Sequence, residues 1–397
     1  MKKGDRPENI GVSNPYALAE IKLRKKIAWN QISDPHQLLT NTLGKSYEQL
    51  FDPIHDSPLY EGVKYNPKVG EIQRVEILPK KRLERSELPA ATRIELGEAP
   101  EVTDFDMKKF LDILPPLLAY DVWVDPGNFF EEGAEVTDPI QGGVANCYYI
   151  AALSSVAWAR TYILAQRTRS TDSQGNFMDM IPFYKAGKEE KIEVTELLPM
   201  TGFGIVYKYA RSNDPGEIWP GIYEKAYAKW ITNDTGDKPD ILATAYGDPV
   251  GACAELTGLT PYYFSTPGKT AGEIWSDVRS NSISYKTFNP LVAWTYPSGD
   301  KSPDKVVYSD ANLVANHAYS IIGWAYVNNQ KYIVLRNPWG TKEATLNIAG
   351  GTWMAWDAPY YGGPGFWRPI NMATPDGIFS LRADTFKKYF AGYGWVK

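Results

Sequence analysis

Gln141-Gly142-Gly143-Val144-Ala145-Asn146-Cys147-Tyr148-Tyr149-Ile150-Ala151-Ala152-Leu153 is the stretch whose reading organises the rest of the chain. Up to Asn146 its composition is that of a loop. From Tyr148 to Arg160 the chain runs without Gly or Pro and with few polar residues, which predicts a largely buried helix. Cys147 then stands at a helix N-terminus. There the unpaired N–H groups and the positive end of the macrodipole favour an anion, so a thiol pKa of about 8.5 is expected to fall. Gln141, across the double glycine, is placed to turn its amide N–H towards charge developing beside the sulfur. Taken alone, the stretch fits equally a buried cysteine acting as a small hydrophobe.

Composition sets bounds around it. A chain of 397 residues has room for two or more domains, and 43% hydrophobic with 22% charged residues excludes wholesale disorder. A net charge of -5 gives no expectation of a nucleic-acid partner. Two cysteines, Cys147 and Cys253, cannot form a disulfide framework, and their spacing with three histidines suggests no zinc site. A reducing compartment fits best. The N-terminus has no apolar signal region and no run reaches membrane-spanning length, so a cytoplasmic protein with no membrane span is expected.

Outward from the cysteine the chain divides into three parts. Residues 1–100 are charged and Pro-punctuated, and are read as an N-terminal extension able to act as a propeptide or regulatory arm. Within it Leu18, Ile21, Ala28 and Trp29 suggest an amphipathic helix, and Lys80-Lys81-Arg82-Leu83-Glu84-Arg85 a solvated charged run. Residues 101–265 are helix-rich, with a helix expected over Asp106–Tyr120 until Pro115-Pro116 interrupts it. A further helix opens at Trp219-Pro220, where Tyr223, Ala226, Tyr227 and Trp230 form a core-facing stripe. Gly268-Lys269-Thr270 imitates a phosphate loop, but Tyr263 stands where its first glycine is required. Residues 266–397 are strand-rich: Leu291–Tyr296, Ala318–Val327 and Tyr332–Leu335 read as strands between turn residues. The fold class is therefore α+β, with a cleft between two subdomains.

A thiolate nucleophile needs a proton-transfer partner. His36 and His55 lie in the extension, which leaves His317 at the start of a strand. Asn337, at the end of the next strand in Arg336-Asn337-Pro338-Trp339-Gly340, offers an amide to hold the imidazole, and Trp339 is placed to shield that bond. Strand parity tests the pair. A two-residue turn at Asn328-Asn329 with a regular ladder sets Asn337 opposite Ser320, on the wrong sheet face. A three-residue loop, Val327-Asn328-Asn329, sets it opposite Tyr319 and on the face of His317; that loop or an equivalent bulge is expected.

With these residues assembled, the chain resembles the calpain family of papain-like cysteine proteases. The blocks are Gln141–Leu153, Ile218-Trp219-Pro220 with Glu224–Lys229, Leu256-Thr257-Gly258, His317–Ser320, Arg336–Gly340, and Asp376–Phe379 with Phe386–Phe390, in the family's order. The Cys-to-His spacing exceeds the papain figure of about 130–150 residues, which favours calpain over papain proper. The resemblance implies a papain-like fold and a cysteine endopeptidase acting on protein or peptide substrates. Cys147 would be the nucleophile, His317 the base, Asn337 its orienter and Gln141 the oxyanion donor. Gly247 would meet the substrate backbone, with Trp339 beside it.

The family core also carries calcium sites, which need hard oxygen ligands. For the first, the resemblance implies the Gly133 carbonyl and the carboxylates of Asp138 and Glu217, with Glu131 where a backbone carbonyl is used. Ordinary loop and helix-cap acids account for Asp138 and Glu217 as well. The second site matches only in Glu343 and Asp376, since Ile378 replaces a carboxylate. The downstream C2-like and EF-hand domains of the best-known members have no counterpart in this sequence, so calcium dependence does not carry over automatically. Two rival functions remain open: a papain-like acyltransferase or transglutaminase, against which Asn337 in place of Asp weighs, and a catalytically silent binding module.

Overall fold

The computed structural model describes residues 6–7, 9–17, 122–131, 133–164, 169–173, 175–201, 206–357 and 366–397, with the strands 63–66 and 71–74. The helices read over Leu18–Trp29 and Asp106–Tyr120, the run Lys80–Arg85, and His36 and His55 lie outside the described residues.

Helix α1 (Cys147–Arg160) begins at the cysteine and buries every residue from Cys147 to Trp158. A helix apolar all round belongs in a core, and each fully buried Ile, Leu or Val stabilises by about 1.5–3 kcal/mol. After it come a hairpin of β1 (Phe177–Lys185) and β2 (Lys188–Thr195), then α2 (Trp219–Thr232), α3 (Pro249–Thr257) and β3 (Pro261–Ser265). The last third holds α4 (Ala271–Ser280), β4 (Lys286–Thr295), β5 (Ala318–Val327), β6 (Gln330–Arg336), β7 (Ile378–Arg382), α5 (Ala383–Tyr389) and β8 (Phe390–Val396). The stripe read on α2 is inward: Tyr223, Ala226 and Tyr227 are buried, with Pro220 in the first turn. Thr270 caps α4 with Glu273 in a reciprocal capping box, so the Gly-Lys-Thr sequence serves a helix start.

One seven-stranded antiparallel sheet, ordered β7-β6-β5-β4-β8-β3 with the short strand Ser282–Ile283 beside β4, is the framework. Its period-two alternation sorts the core. Val292, Trp294 and Ala318 join Ile150, Leu153, Val156 and Val250 on the α1–α3 side. Leu291, Ala293, Tyr319 and Ile321 join Ile274, Val278 and Phe386 on the α4–α5 side. Ser155 Oγ donates to Leu291 O at 2.8 Å and Ser320 Oγ to Ala151 O at 2.7 Å, so buried hydroxyls fix α1 on β4 and β5. Among the described residues no helix is long and apolar enough to cross a membrane.

The β5–β6 connection departs from the three-residue loop. Asn328 and Asn329 both take positive φ, 50° and 58°, and Val327 pairs with Gln330 in a two-residue turn. Face parity is restored within the ladder instead. Ser320 pairs with Arg336 and Ile321 with Leu335, but Gly323 pairs with Val334, leaving Ile322 as the extra residue of a bulge. Gly323 is needed there, because a Cβ would lie 2.2 Å from Tyr285 O. The bulge does the work assigned to the longer loop.

Candidate active site

The loop before α1 is held from two sides. Asn146 Nδ2 donates to Glu224 Oε1 at 2.6 Å and to Thr244 Oγ1 at 3.0 Å, and Glu224 Oε2 accepts the Ala210 N–H at 2.8 Å. Burial pushes the Glu224 carboxyl up to about 7 against those two bonds. On the other side, the Gln141 N–H donates to Pro338 O at 2.8 Å, which fastens the cysteine loop to the turn after β6.

Cys147 is fully buried, and this changes its acidity. Burial pushes the thiol up to about 11, although backbone N–H groups of Ala318, Val12, Tyr148 and Cys147 itself pull the other way. The lowered value expected from the helix terminus is therefore not met in this arrangement, because desolvation of a thiolate outweighs the partial charges around it.

His317 and Asn337 meet directly: His317 Nε2 lies 2.9 Å from Asn337 Oδ1, both residues fully buried. The same Oδ1 accepts the Trp339 N–H at 3.1 Å, and Asn337 Nδ2 donates to Lys342 O at 3.3 Å. With its oxygen thus assigned as acceptor, Asn337 requires the proton of a neutral imidazole on Nε2, which leaves Nδ1 basic. Nδ1 is buried without a hydrogen-bond partner, and the next residue's N–H, Ala318, points at the Cys147 sulfur. Desolvation lowers the His317 pKa to about 3, against the supporting bond from Asn337. The Trp339 ring packs over His317 with centroids 4.7 Å apart and is itself buried, covering the His–Asn bond.

Gln141 directs Nε2 to two carbonyls, Val144 O at 2.7 Å and Val12 O at 2.6 Å. Gly247 exchanges two backbone hydrogen bonds with Ile10, at 3.0 and 3.1 Å. A Cβ on Gly247 would stand 2.5 Å from the Tyr148 ring, so the position has no room for a side chain. Residues of the N-terminal segment thus lie against two of the expected site residues, and nothing in their composition announces it. Asn316, whose Nδ2 donates to Gly11 O at 3.2 Å, was likewise not legible.

The acidic residues form a separate cluster. Carboxylate oxygens of Asp138, Asp214 and Glu217 lie within 4.8 Å of one another. Asp214 is an addition to the expected set; its signal was its place in the same loop as Glu217. Asp138 Oδ1 is buried and lacks a hydrogen-bond partner, while Oδ2 accepts from Glu135 N–H and Trp219 Nε1. Burial and the nearby Glu217 charge push Asp138 up to about 8. Converging hard oxygens with one left over suit a divalent cation. Gly133, at φ 139°, lies on the loop leading to Asp138, and Glu131 donates its N–H to Glu217 Oε1 at 3.3 Å. At the second expected site, Glu343 Oε1 accepts from Gly377 N–H and Asp376 Oδ1 from Ile378 N–H, while Ile378 itself packs in the core.

A mixed helix-and-sheet core with a cysteine heading a buried helix, and a His–Asn pair at the adjoining ends of neighbouring strands, is the architecture of the papain-like cysteine proteases. The family model described as calpain family cysteine protease matches residues 119–392, and the chain belongs to that family. Over 96% of its length it is 26% identical to a thiol protease of Porphyromonas gingivalis, covering 86% of that protein. It is 25% identical to calpain-5 of Caenorhabditis elegans over 68% of the chain and 45% of the relative. It is 26% identical to human calpain-8 over 66% of the chain and 36% of the relative. The chain therefore spans less than half the length of these two calpains.

Proposed function

We propose that the protein is an endopeptidase in which Cys147 is the nucleophile, His317 the general base and then acid, and Asn337 the residue that orients His317. The observation that carries this reading is the His317 Nε2–Asn337 Oδ1 bond, which leaves Nδ1 as the proton acceptor. The thiol proton passes to Nδ1 as the sulfur attacks the peptide carbonyl carbon. Gln141 Nε2 and the Cys147 N–H receive the oxyanion. Collapse breaks the C–N bond, the imidazolium protonates the leaving amine, and a thioester remains. Water, deprotonated by His317, then releases the acid and restores the thiol. Gly247 aligns the substrate backbone, and Trp339 keeps water from the His–Asn bond. The segment 101–265 would carry the nucleophile and 266–397 the His and Asn, with substrate between them.

Asp138, Glu217 and Asp214, with the Gly133 carbonyl, would hold calcium. Bound there, the ion would supply positive charge that offsets the three carboxylates, of which Asp138 immediately precedes the Pro139–Gln141 approach to the nucleophile loop. Cleavage of a fluorogenic peptide by wild-type and Cys147→Ala protein, each with calcium and with chelator, tests both parts. Cys147-dependent turnover is expected, and its absence under both conditions, including after removal of the N-terminal extension, removes the peptidase reading.

A further inference from the structure

The described residues of the N-terminal segment, 6–7 and 9–16, cross the cleft in contact with nearly every group assigned to substrate. Arg6 Nε reaches Asp248 Oδ2 at 2.8 Å. Ile10 forms an antiparallel bridge with Gly247, as a bound peptide strand would. Gly11 O accepts from Asn316 Nδ2 at 3.2 Å. Val12 O accepts from Gln141 Nε2 at 2.6 Å, and the Val12 N–H points at the Cys147 sulfur. Asn14, buried, donates from Nδ2 to Gln141 O at 2.6 Å and from its backbone N–H to Gly142 O at 3.3 Å. Tyr16 closes the path with its ring edge-on to Trp339, centroids 6.0 Å apart.

We propose that the cleft binds extended segments carrying an apolar residue followed by glycine, and that Asn9–Asn14 is the chain's own copy of that ligand, seated so that it blocks the nucleophile. The glycine requirement is steric. A Cβ on Gly11 would lie 2.3 Å from Ala145 O and 2.7 Å from the Tyr246 ring, and the first of these is backbone of the cysteine loop. The seat is inhibitory because the group facing the sulfur is an N–H, not a carbonyl carbon. The Val12 carbonyl meanwhile takes the donor that an oxyanion needs. The complete burial of Cys147 and the raised pKa of its thiol belong to this covered state. Displacing the strand admits water to the cleft and removes the block.

The inference rests on the peptidase reading for its meaning, and its test does not need turnover. The full chain and its Gly11→Val and Asn14→Ala variants are treated with iodoacetamide, and alkylation of Cys147 and Cys253 is followed separately by peptide mass. Opening of the cleft is expected to speed Cys147 alkylation about tenfold or more in Gly11→Val. Cys253, fully buried in α3, should stay unreacted and so reports folding. The synthetic hexapeptide Asn-Ile-Gly-Val-Ser-Asn should slow alkylation of Gly11→Val, whereas Asn-Ile-Val-Val-Ser-Asn should not. Equal rates in wild type and both variants, or equal effects of the two peptides, overturn the proposal. If Cys253 of Gly11→Val also reacts, Asn14→Ala with intact Cys253 decides. Faster alkylation without peptide hydrolysis in any form leaves the occupied cleft standing and removes the peptidase reading alone.

Discussion

Arg336 Nη1 donates to Ser154 Oγ at 2.8 Å, joining the end of β6 to the middle of α1 through a fully buried guanidinium. The same guanidinium donates to Pro139 O at 2.8 Å and Thr137 O at 2.6 Å, the residues on either side of Asp138. One side chain therefore holds together the strands next to His317 and Asn337, the helix headed by Cys147 and the acidic loop. Arg336→Lys keeps the charge but loses the planar fork that serves three acceptors. Each hydrogen bond to a charged group contributes about 1.5–3 kcal/mol, so urea unfolding should show a loss of at least about 2 kcal/mol. An unchanged midpoint would deny the buried bridge its role.

Asn337 can be tested by separating orientation from packing. Asn337→Ala leaves the imidazole tautomer unheld and should lower kcat by about 10²-fold, within the usual contribution of general acid–base groups. Asn337→Asp retains an acceptor for Nε2 and should recover part of that loss. Because the bond from Asn337 supports the protonated imidazole, Asn337→Ala should also move the His317 titration down and Asn337→Asp move it up, read by NMR of the histidine ring. Equal kcat in all three proteins would contradict the orienting role.

Glu224 predicts a pH dependence of stability. Its folded pKa of about 7 lies above the ordinary value of 4.5, so the folded state keeps a proton that the unfolded chain gives up between those values. This group's contribution is full below about pH 4.5 and is lost as pH rises to about 7. His317 acts in the opposite sense: with a folded pKa of about 3 against 6.5, it favours folding above about pH 6.5 and loses that contribution towards pH 3. Glu224→Gln should therefore gain on wild type as pH rises from 5 to 7.5 in urea titrations, whatever its fixed cost from the altered bonds to Asn146 and Ala210. A constant difference across that range would count against a buried neutral Glu224.

Calcium binding at Asp138, Asp214 and Glu217 should appear as thermal stabilisation. A ligand at a hundred times its Kd adds about 2.7 kcal/mol to the folded state. Wild-type protein should melt several degrees higher with calcium than with chelator, and Glu217→Gln should lose most of that increment. Identical melting with and without calcium would leave the cluster as a set of loop and cap acids.

The sequence was most readable where local pattern dominates. The run after Cys147 is largely apolar on every face, and burial of the helix from Cys147 to Trp158 follows from that alone. The strand pair bearing His317 and Asn337 was legible through alternation and through the Pro-Trp-Gly turn. Parity demanded one extra residue in the ladder, but its place was not visible: asparagines tolerate the two-residue turn, so the irregularity moved to Ile322, where Gly323 allows close approach to Tyr285. The hairpin of β1 and β2 inside the part read as helix-rich was missed.

What the sequence alone determined is the set of local elements and the chemistry on them: a cysteine at a helix start, a histidine and an asparagine at strand ends, acids on loops. Tertiary structure alone decided what surrounds these groups. The N-terminal segment reaches Gln141, Gly247 and Asn316 through hydrogen bonds between residues far apart in the chain, and no local period encodes such pairs. The same covering reverses the expected acidity of Cys147. A helix terminus stabilises a thiolate by local partial charges, but the loss of water is set by everything packed around the sulfur, and here that loss is the larger effect.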